Sequence, residues 1–161
     1  MTVQQPPGTR TALELMTPRP VTIGPDDRLA RVRDLFARHG FTHLLVVEGG
    51  SVVGAVDDRR LLQALSPHVG TVSETPRDVA TLRRPVHQVM ARRPATARVT
   101  TRAVELARLL LAGDTGCVPV VDSGRQLVGI VTASDLLRAA YPLPAGRVVP
   151  DTSGVARRPG D

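Results

Sequence analysis

The sequence predicts a mixed α/β fold of two β-α-β-β-α repeats that pack as a pseudo-twofold pair. The first observation is an internal repeat, because Met16-Thr17-Pro18-Arg19-Pro20 returns 74 positions later as Met90-Ala91-Arg92-Arg93-Pro94. The second observation is that the apolar positions after each Met also correspond, with Val46-Val47 matched by Val120-Val121. Since one such unit is too small to bury a core alone, the two are expected to pack against each other.

The first repeat, residues 13–65, carries strand and helix signals in a regular order. Its apolar runs predict three strands, at residues 21–23, 43–47 and 52–56. The turn at 24–27 offers Asp as the N-cap of a helix, and Gly40 is expected to end that helix. A second helix is expected to begin near Asp57 or Asp58.

The second repeat, residues 85–141, has the same order of elements. Three strands are predicted at residues 97–99, 117–121 and 126–132. Gly113 is expected to end the helix after the first of these strands. The last helix is expected to start near Ser134, directly after the third strand.

The segments outside the repeats are rich in Pro, Gly and other residues that break periodicity. Residues 1–12 and 142–161 are therefore predicted to be flexible tails with little fixed structure. Residues 66–84, which include Pro67 and Pro76, are predicted to be the linker between the repeats.

Composition restricts the classes of protein to which the chain can belong. No apolar run approaches the roughly 18 residues that a membrane helix needs, and the start shows no secretory signal, so a cytoplasmic protein without a membrane partner is expected. The single cysteine, Cys117, is interpreted as a buried apolar residue. All 21 basic residues are Arg, which indicates base bias of the genome, so the net charge of +6 is weak evidence for nucleic acid as a partner.

Motifs of catalysis are missing from the sequence. It has no phosphate-binding Gly-rich loop, no Gly-x-Ser-x-Gly elbow and no acid pair, and its four His residues do not show metal-ligand spacing. We therefore expect a protein that is not an enzyme, contains no metal site and requires no cofactor.

Two motifs of the second repeat carry a family resemblance. The strand ending Pro119-Val120-Val121-Asp122 and the segment at 127–136, which reads LVGIVTASDL, resemble the CBS domain, named after cystathionine β-synthase. Two such domains in tandem resemble a Bateman module, here of the stand-alone CBS-pair type found in bacteria. The resemblance implies an adenosine-containing ligand, such as AMP, ADP, ATP or S-adenosylmethionine.

The chemistry of the segment from Thr132 to Asp135 fits such a ligand. A strand runs into a helix N-terminus here, including Ser134, where unpaired N–H groups and the helix dipole favour a phosphate. The family resemblance implies that Thr132 contacts the phosphate and that Asp135 accepts hydrogen bonds from the ribose hydroxyls. The adenine is expected between Val118 and Ile130. Its edge is expected to be read by the backbone of three residues, Ala95, Thr96 and Ala97, with Arg98 as a candidate for polyphosphate.

Helix capping is the alternative explanation for the same residues. A Thr before a helix followed by Asp in its first turn is a common N-terminal cap, with or without a ligand. Position within the whole repeat favours the ligand site over the cap alone.

The first repeat departs from the motif at both informative positions. Asp57 stands where the second repeat has Thr132, and Arg60 stands where it has Asp135. A carboxylate would repel phosphate, and Arg has no acceptor for a diol. The first site is therefore predicted to be degraded, with Asp57 or Asp58 acting as a helix cap. A reshaped site in which Arg59 or Arg60 reaches a phosphate is the alternative.

The sequence leads to one principal hypothesis and two alternatives. The principal hypothesis is a regulatory sensor that binds an adenosyl compound mainly at the second repeat and signals to a protein effector. Apolar helix residues favour a homodimer, and the same residues could instead be internal: Leu61, Leu62, Leu65, Leu136, Leu137 and Ala140. The alternatives are a nucleotide-independent homodimeric scaffold or interaction module and, third, a weak nucleic-acid binder.

Overall fold

The computed structural model describes residues 7–141, in which two four-stranded sheets carry helices on their outer faces. The strands are β1 Thr17–Pro18, β2 Thr22–Ile23, β3 His43–Glu48, β4 Ser51–Asp57, β5 Ala91–Arg92, β6 Ala97–Arg98, β7 Cys117–Val121 and β8 Leu127–Thr132. The helices are α1 Ala12–Leu15, α2 Leu29–His39, α3 Asp58–Ala64, α4 Pro76–Thr81, α5 Ala103–Ala112 and α6 Ala133–Ala140. Both predicted β-α-β-β-α units are confirmed.

The two repeats exchange one short strand each. One sheet has the order β2-β3-β4-β5, so β5, near the start of the second repeat, is added to the sheet of the first. The other sheet has the order β1-β8-β7-β6, in which β1 pairs antiparallel with β8, Thr17 opposite Ile130. The sequence did not predict this exchange, which ties the start of each repeat to the sheet of the other.

Methionine and glycine residues at corresponding positions stabilise the two exchanged strands. A Cβ placed on Gly129 would contact the Met16 sulfur, and a Cβ on Gly54 would contact the Met90 sulfur. Each Met side chain therefore occupies space that only a glycine leaves free. The backbone also repeats, since the N–H of Arg19 donates to the Val128 carbonyl at 3.1 Å and that of Arg93 to the Val53 carbonyl at 3.2 Å.

The apolar residues form one core in each repeat and a smaller one between them. The first core lies between α2, α3 and its sheet, and the second lies between α1, α5, α6 and the other sheet. Leu45, Ala55 and Cys117 form the third cluster, against which Leu127 and Ile130 pack. Side chains from both sheets meet in this cluster, as expected for a pair that buries its inner surfaces together.

Several helix ends agree with the sequence-based prediction. Gly40, in the left-handed conformation at φ 67°, follows α2, and Gly113 follows α5. Asp57 is the N-cap of α3, where its side chain accepts a hydrogen bond from the Arg60 N–H at 2.7 Å. The N-cap of α2 is Arg28 rather than an Asp, because Asp27 instead accepts from the Gly24 N–H within the preceding turn.

The structure corrects the predicted N-terminal tail and the predicted linker. Residues 7–12 are ordered, since Ala12 is fully buried and its N–H donates to the Thr101 carbonyl at 2.7 Å. The linker contains α4, which begins at a cap formed by Thr75 and Asp78. Their contact stabilises a helix that Pro content alone did not reveal. Residues 1–6 and 142–161, the rest of the predicted tails, lie outside the described residues.

Candidate functional site

A cavity of about 650 Å³ lies between the two repeats at the start of α6. The first repeat contributes the segment around β1 and the loop that leads into the first residue of β3. The second repeat contributes the β8–α6 junction and the loop before β7. Of the residues assigned to the ligand from sequence, it contains Ile130, Thr132, Ser134 and Asp135. A molecule in this cavity would therefore contact both repeats at once.

Asp135 and Thr132 contact each other at the N-terminus of α6. One carboxylate oxygen of Asp135, Oδ2, accepts from the Thr132 N–H at 2.7 Å and from its hydroxyl at 2.9 Å. The other oxygen, Oδ1, lies 3.8 Å from a guanidinium nitrogen of Arg138. The capping interaction is thus present. It holds the side chain of Asp135, which is 14% exposed, at the cavity wall.

Two guanidinium groups give the cavity a positive character. Arg138 follows Asp135 by one helical turn, and Arg19 reaches the cavity from the loop after β1. Arg19 has a positive φ of 48°, an uncommon conformation for a residue with a side chain. Because its N–H is bonded to Val128, the backbone conformation of Arg19 is coupled to β8. The start of α6 adds the positive end of a helix dipole.

His43 lines the cavity from the first repeat, although the sequence did not point to it. Its Nδ1 lies 3.1 Å from the Thr42 hydroxyl, and a Cβ placed on Gly116 would be 2.7 Å from its Nε2. Burial lowers the pKa of His43 from its ordinary value of 6.5, while Asp57 and Asp58 act in the opposite direction. The imidazole is therefore neutral at pH 7.

Cys117 corresponds to His43 in the repeat but is enclosed in the core. Burial raises the pKa of the Cys117 thiol to about 11. The thiol is therefore protonated at neutral pH, which agrees with an apolar packing role rather than reactivity. Among residues 7–141 no cluster of His, Cys, Asp and Glu could hold a metal ion.

The remaining residues assigned to the ligand do not reach this cavity. Ala97 and Arg98 form β6, which pairs with β7 on the side away from β8, and the Arg98 guanidinium bonds to the Asp122 carbonyl at 3.4 Å. Ala95 and Thr96 are exposed in the loop before β6, and Val118 is buried in the second core. Residues 17–21, in and after the exchanged strand β1, form a wall of this cavity instead. The contact of Ala95, Thr96 and Ala97 with a ligand stays a prediction.

The corresponding position of the first repeat is filled by an arginine. The guanidinium of Arg60 bonds to Asp114 of the second repeat and lies 3.9 Å from Asp57. Its Nε is buried and makes no hydrogen bond within the described part of the chain. The cation therefore connects the two repeats and compensates the charge of the buried Asp57. The loss of a nucleotide site at this position stays a prediction.

Replacing Arg60 by alanine is expected to lower the free energy of unfolding by about 1 to 2 kcal/mol, because Asp57 would lose its counter-charge. Urea denaturation measures this effect. Arg59→Ala is the matched control, since Arg59 is the exposed neighbour on the same helix turn. Equal stability of the two variants would show that the Arg60 contacts contribute nothing.

Comparison with known proteins identifies the family. The family model of the CBS domain matches residues 12–67 and 86–141. The chain belongs to the CBS domain family. A CBS domain-containing protein of Dictyostelium discoideum is 31% identical over 126 residues, which cover 77% of this chain and 86% of that protein. An uncharacterized protein of Methanocaldococcus jannaschii is 29% identical over 119 residues, 71% of this chain, and the chain spans only 41% of its length.

Solved structures of CBS pairs share the fold. The CBS-pair protein CBSX2 of Arabidopsis thaliana, solved in complex with AMP, has a TM-score of 0.67 and 28% identity, covering 82% of this chain and 96% of that one. The CBS domain pair of protein MJ0100, solved with 5′-methylthioadenosine and S-adenosyl-L-methionine, has a TM-score of 0.66 and 22% identity over 81% of this chain and 94% of that one.

No helix within residues 7–141 is both long and apolar enough to span a bilayer.

Proposed function

We propose that this CBS pair is a non-catalytic regulatory module that binds an adenosine-containing ligand in the cavity between its repeats. The observation that carries the proposal is the position of Asp135, which lines this cavity at the start of α6 together with Arg19 and Arg138. An acceptor for a diol and two cations for phosphate therefore share one cavity. The CBS pair of known structure at 28% identity was solved with AMP, which supports the same class of ligand.

The polar groups fit the sugar and the phosphate of a nucleotide. A ribose diol donates two hydrogen bonds, and Asp135 has an Oδ1 that its contacts with Thr132 do not use. The first N–H groups of α6 have no partner within the helix and favour an anion, as does the guanidinium of Arg138. The hydroxyl of Thr132 can turn from Asp135 to such an anion.

The apolar part of the cavity fits the adenine. Ile130 lies on one wall, and Pro20, Val21 and Phe41 lie on the walls contributed by the first repeat. We place the adenine against these side chains. The backbone of the segment at 17–21 is then the part of the chain that reads its edge, in place of Ala95, Thr96 and Ala97.

Regulation follows from a ligand that contacts both repeats. A ligand transmits a signal only when it binds one arrangement of the pair more tightly than another. Leu62 on α3 and Leu137 on α6 remain 72% and 59% exposed, whereas Leu61 is buried in the first core. These two exposed residues favour a homodimer formed through the helix faces, which a protein effector would read in the cytoplasm.

A thermal-shift panel tests the function directly. AMP, ADP, ATP, NAD, S-adenosylmethionine and GTP are each added to the intact chain, because a ligand that binds only the folded state raises the melting temperature. We expect an upward shift with at least one adenosine compound and a smaller one with GTP. A panel without any shift would contradict ligand binding and favour a nucleotide-independent scaffold.

A further inference from the structure

The proposed ligand cavity contains a titratable side chain that both repeats surround. His43 is the first residue of β3 and lies opposite Gly116 of the second repeat. Gly116 has φ 66° and leaves the space that the Nε2 side of the imidazole occupies. Gly116 precedes Cys117, which pairs with Thr132 across β7 and β8. The ring of His43 therefore faces the same end of the cavity as the start of α6.

Charged groups surround His43 on two sides. Asp57 and Asp58 face it from the β4–α3 junction, and Asp57 is compensated by Arg60. On the cavity side the charged residues are Arg19, Asp135 and Arg138, so cations outnumber carboxylates there. The Thr42 hydroxyl lies 3.1 Å from Nδ1 of His43, and the His43 side chain is only partly accessible to water. This setting disfavours a charged imidazole unless a further anion enters the cavity.

We propose that His43 takes up a proton when a phosphate-bearing ligand enters the cavity, so that this CBS pair binds such ligands more tightly as the pH falls. The proposal rests on the proposed function and adds a pH response to it. In the ligand-free protein the imidazole is neutral at pH 7, whereas a phosphate nearby stabilises the imidazolium and its N–H donors. Binding and protonation then favour each other.

The sign of the effect follows from the two protonation equilibria. Burial places the pKa of free His43 below 6.5, and a bound phosphate moves it upward. Between the free and the bound value, Kd falls with decreasing pH by up to about tenfold per pH unit. Outside this interval His43 contributes no pH dependence. The stabilisation of the protein by ligand should therefore be larger at pH 6 than at pH 7.5.

Calorimetric titration of AMP and of adenosine between pH 6 and 7.5 tests the proposal on the intact chain and on His43→Gln, which keeps an N–H donor but does not titrate. We expect the affinity of the intact chain for AMP, relative to that of His43→Gln, to rise about threefold or more at the lower pH. Adenosine should show no such difference. The phosphate of AMP titrates near pH 6 in both proteins, so the comparison isolates His43.

A second measurement covers the case in which His43→Gln folds poorly. The ring proton signals of the intact chain report the pKa of His43 by NMR, and AMP should raise it. The ring signals of His68, in the segment between the repeats, should not move when AMP is added. An unchanged pKa of His43 in the presence of AMP would overturn the proposal. So would the same pH dependence of AMP affinity in the intact chain and in His43→Gln. If neither AMP nor adenosine bound, the proposed binding of an adenosine-containing ligand would be contradicted, and the proposed proton uptake by His43 with it.

Discussion

Replacing Asp135 by alanine is expected to weaken the binding of AMP about 30-fold or more. The substitution removes the acceptor that we assign to the ribose, and a lost hydrogen bond to a charged group costs about 2 kcal/mol. It also removes the partner of the Thr132 N–H and hydroxyl. Calorimetry on the folded variant measures the loss of affinity separately from any loss of stability.

The chain offers a matched control for this substitution. Asp78 accepts from the Thr75 N–H at 2.8 Å and from its hydroxyl at 2.6 Å, the same pair of contacts that Asp135 makes with Thr132. Because Asp78 also accepts from the Ser66 hydroxyl at 2.5 Å, Asp78→Ala should lower stability by at least as much, about 1 kcal/mol or more, and leave the affinity for AMP unchanged. If Asp135→Ala bound AMP as tightly as Asp78→Ala does, then Asp135 would be a helix cap and nothing more.

Replacing Gly129 by alanine is expected to destabilise the protein by about 2 kcal/mol and also to weaken ligand binding. The added Cβ would lie 2.8 Å from Cγ and 3.0 Å from Cβ of Met16, so the methionine must move. Because Met16 directly precedes β1, its movement displaces the cavity wall formed by residues 17–21. Chemical denaturation and calorimetry measure the two effects.

The symmetry of the pair separates these two effects. Gly54→Ala places a Cβ 2.9 Å from Cγ of Met90 and 3.0 Å from the Ala91 carbonyl, so it should destabilise the protein to a similar degree. It disturbs β5, which does not line the cavity, and should spare the affinity. Gly24→Ala, whose Cβ meets no atom closer than 3.7 Å, should change neither property. Equal loss of affinity in the Gly54 and Gly129 variants would contradict a cavity wall built by β1.

The sequence predicted the repeats and singled out residues that line one end of the cavity, because these signals are local. Apolar periodicity and glycine caps define the units, and the residues from Thr132 to Asp135 are adjacent in the chain. The exchange of β1 and β5 was missed because a strand of two residues carries no periodicity, and its pairing is decided by tertiary contacts. The matched positions of Met16 with Met90 and of Gly54 with Gly129 were the available signal.

The cavity wall at residues 17–21 could not be predicted without knowing of this strand exchange. Placing the adenine edge at Ala95, Thr96 and Ala97 assumed that each repeat builds its site from its own first strand. The cavity wall at 17–21 comes from the start of the first repeat, and His43 of the same repeat also lines the cavity. Contacts between residues so far apart in the chain leave no pattern in a single sequence. In the linker, by contrast, Thr75, Pro76 and Asp78 formed a capping signal that could have predicted α4.

The most direct measurement of the central claim is a calorimetric titration of AMP into the intact chain at pH 6.5, close to the ordinary pKa of histidine, with the number of sites left free in the fit. We expect saturable binding of one AMP per chain, because the cavity at α6 carries Asp135 while Arg60 occupies the corresponding position of the first repeat. Two equivalent sites per chain would contradict the role of Arg60. No binding of AMP or of any other adenosine compound would contradict the proposed function.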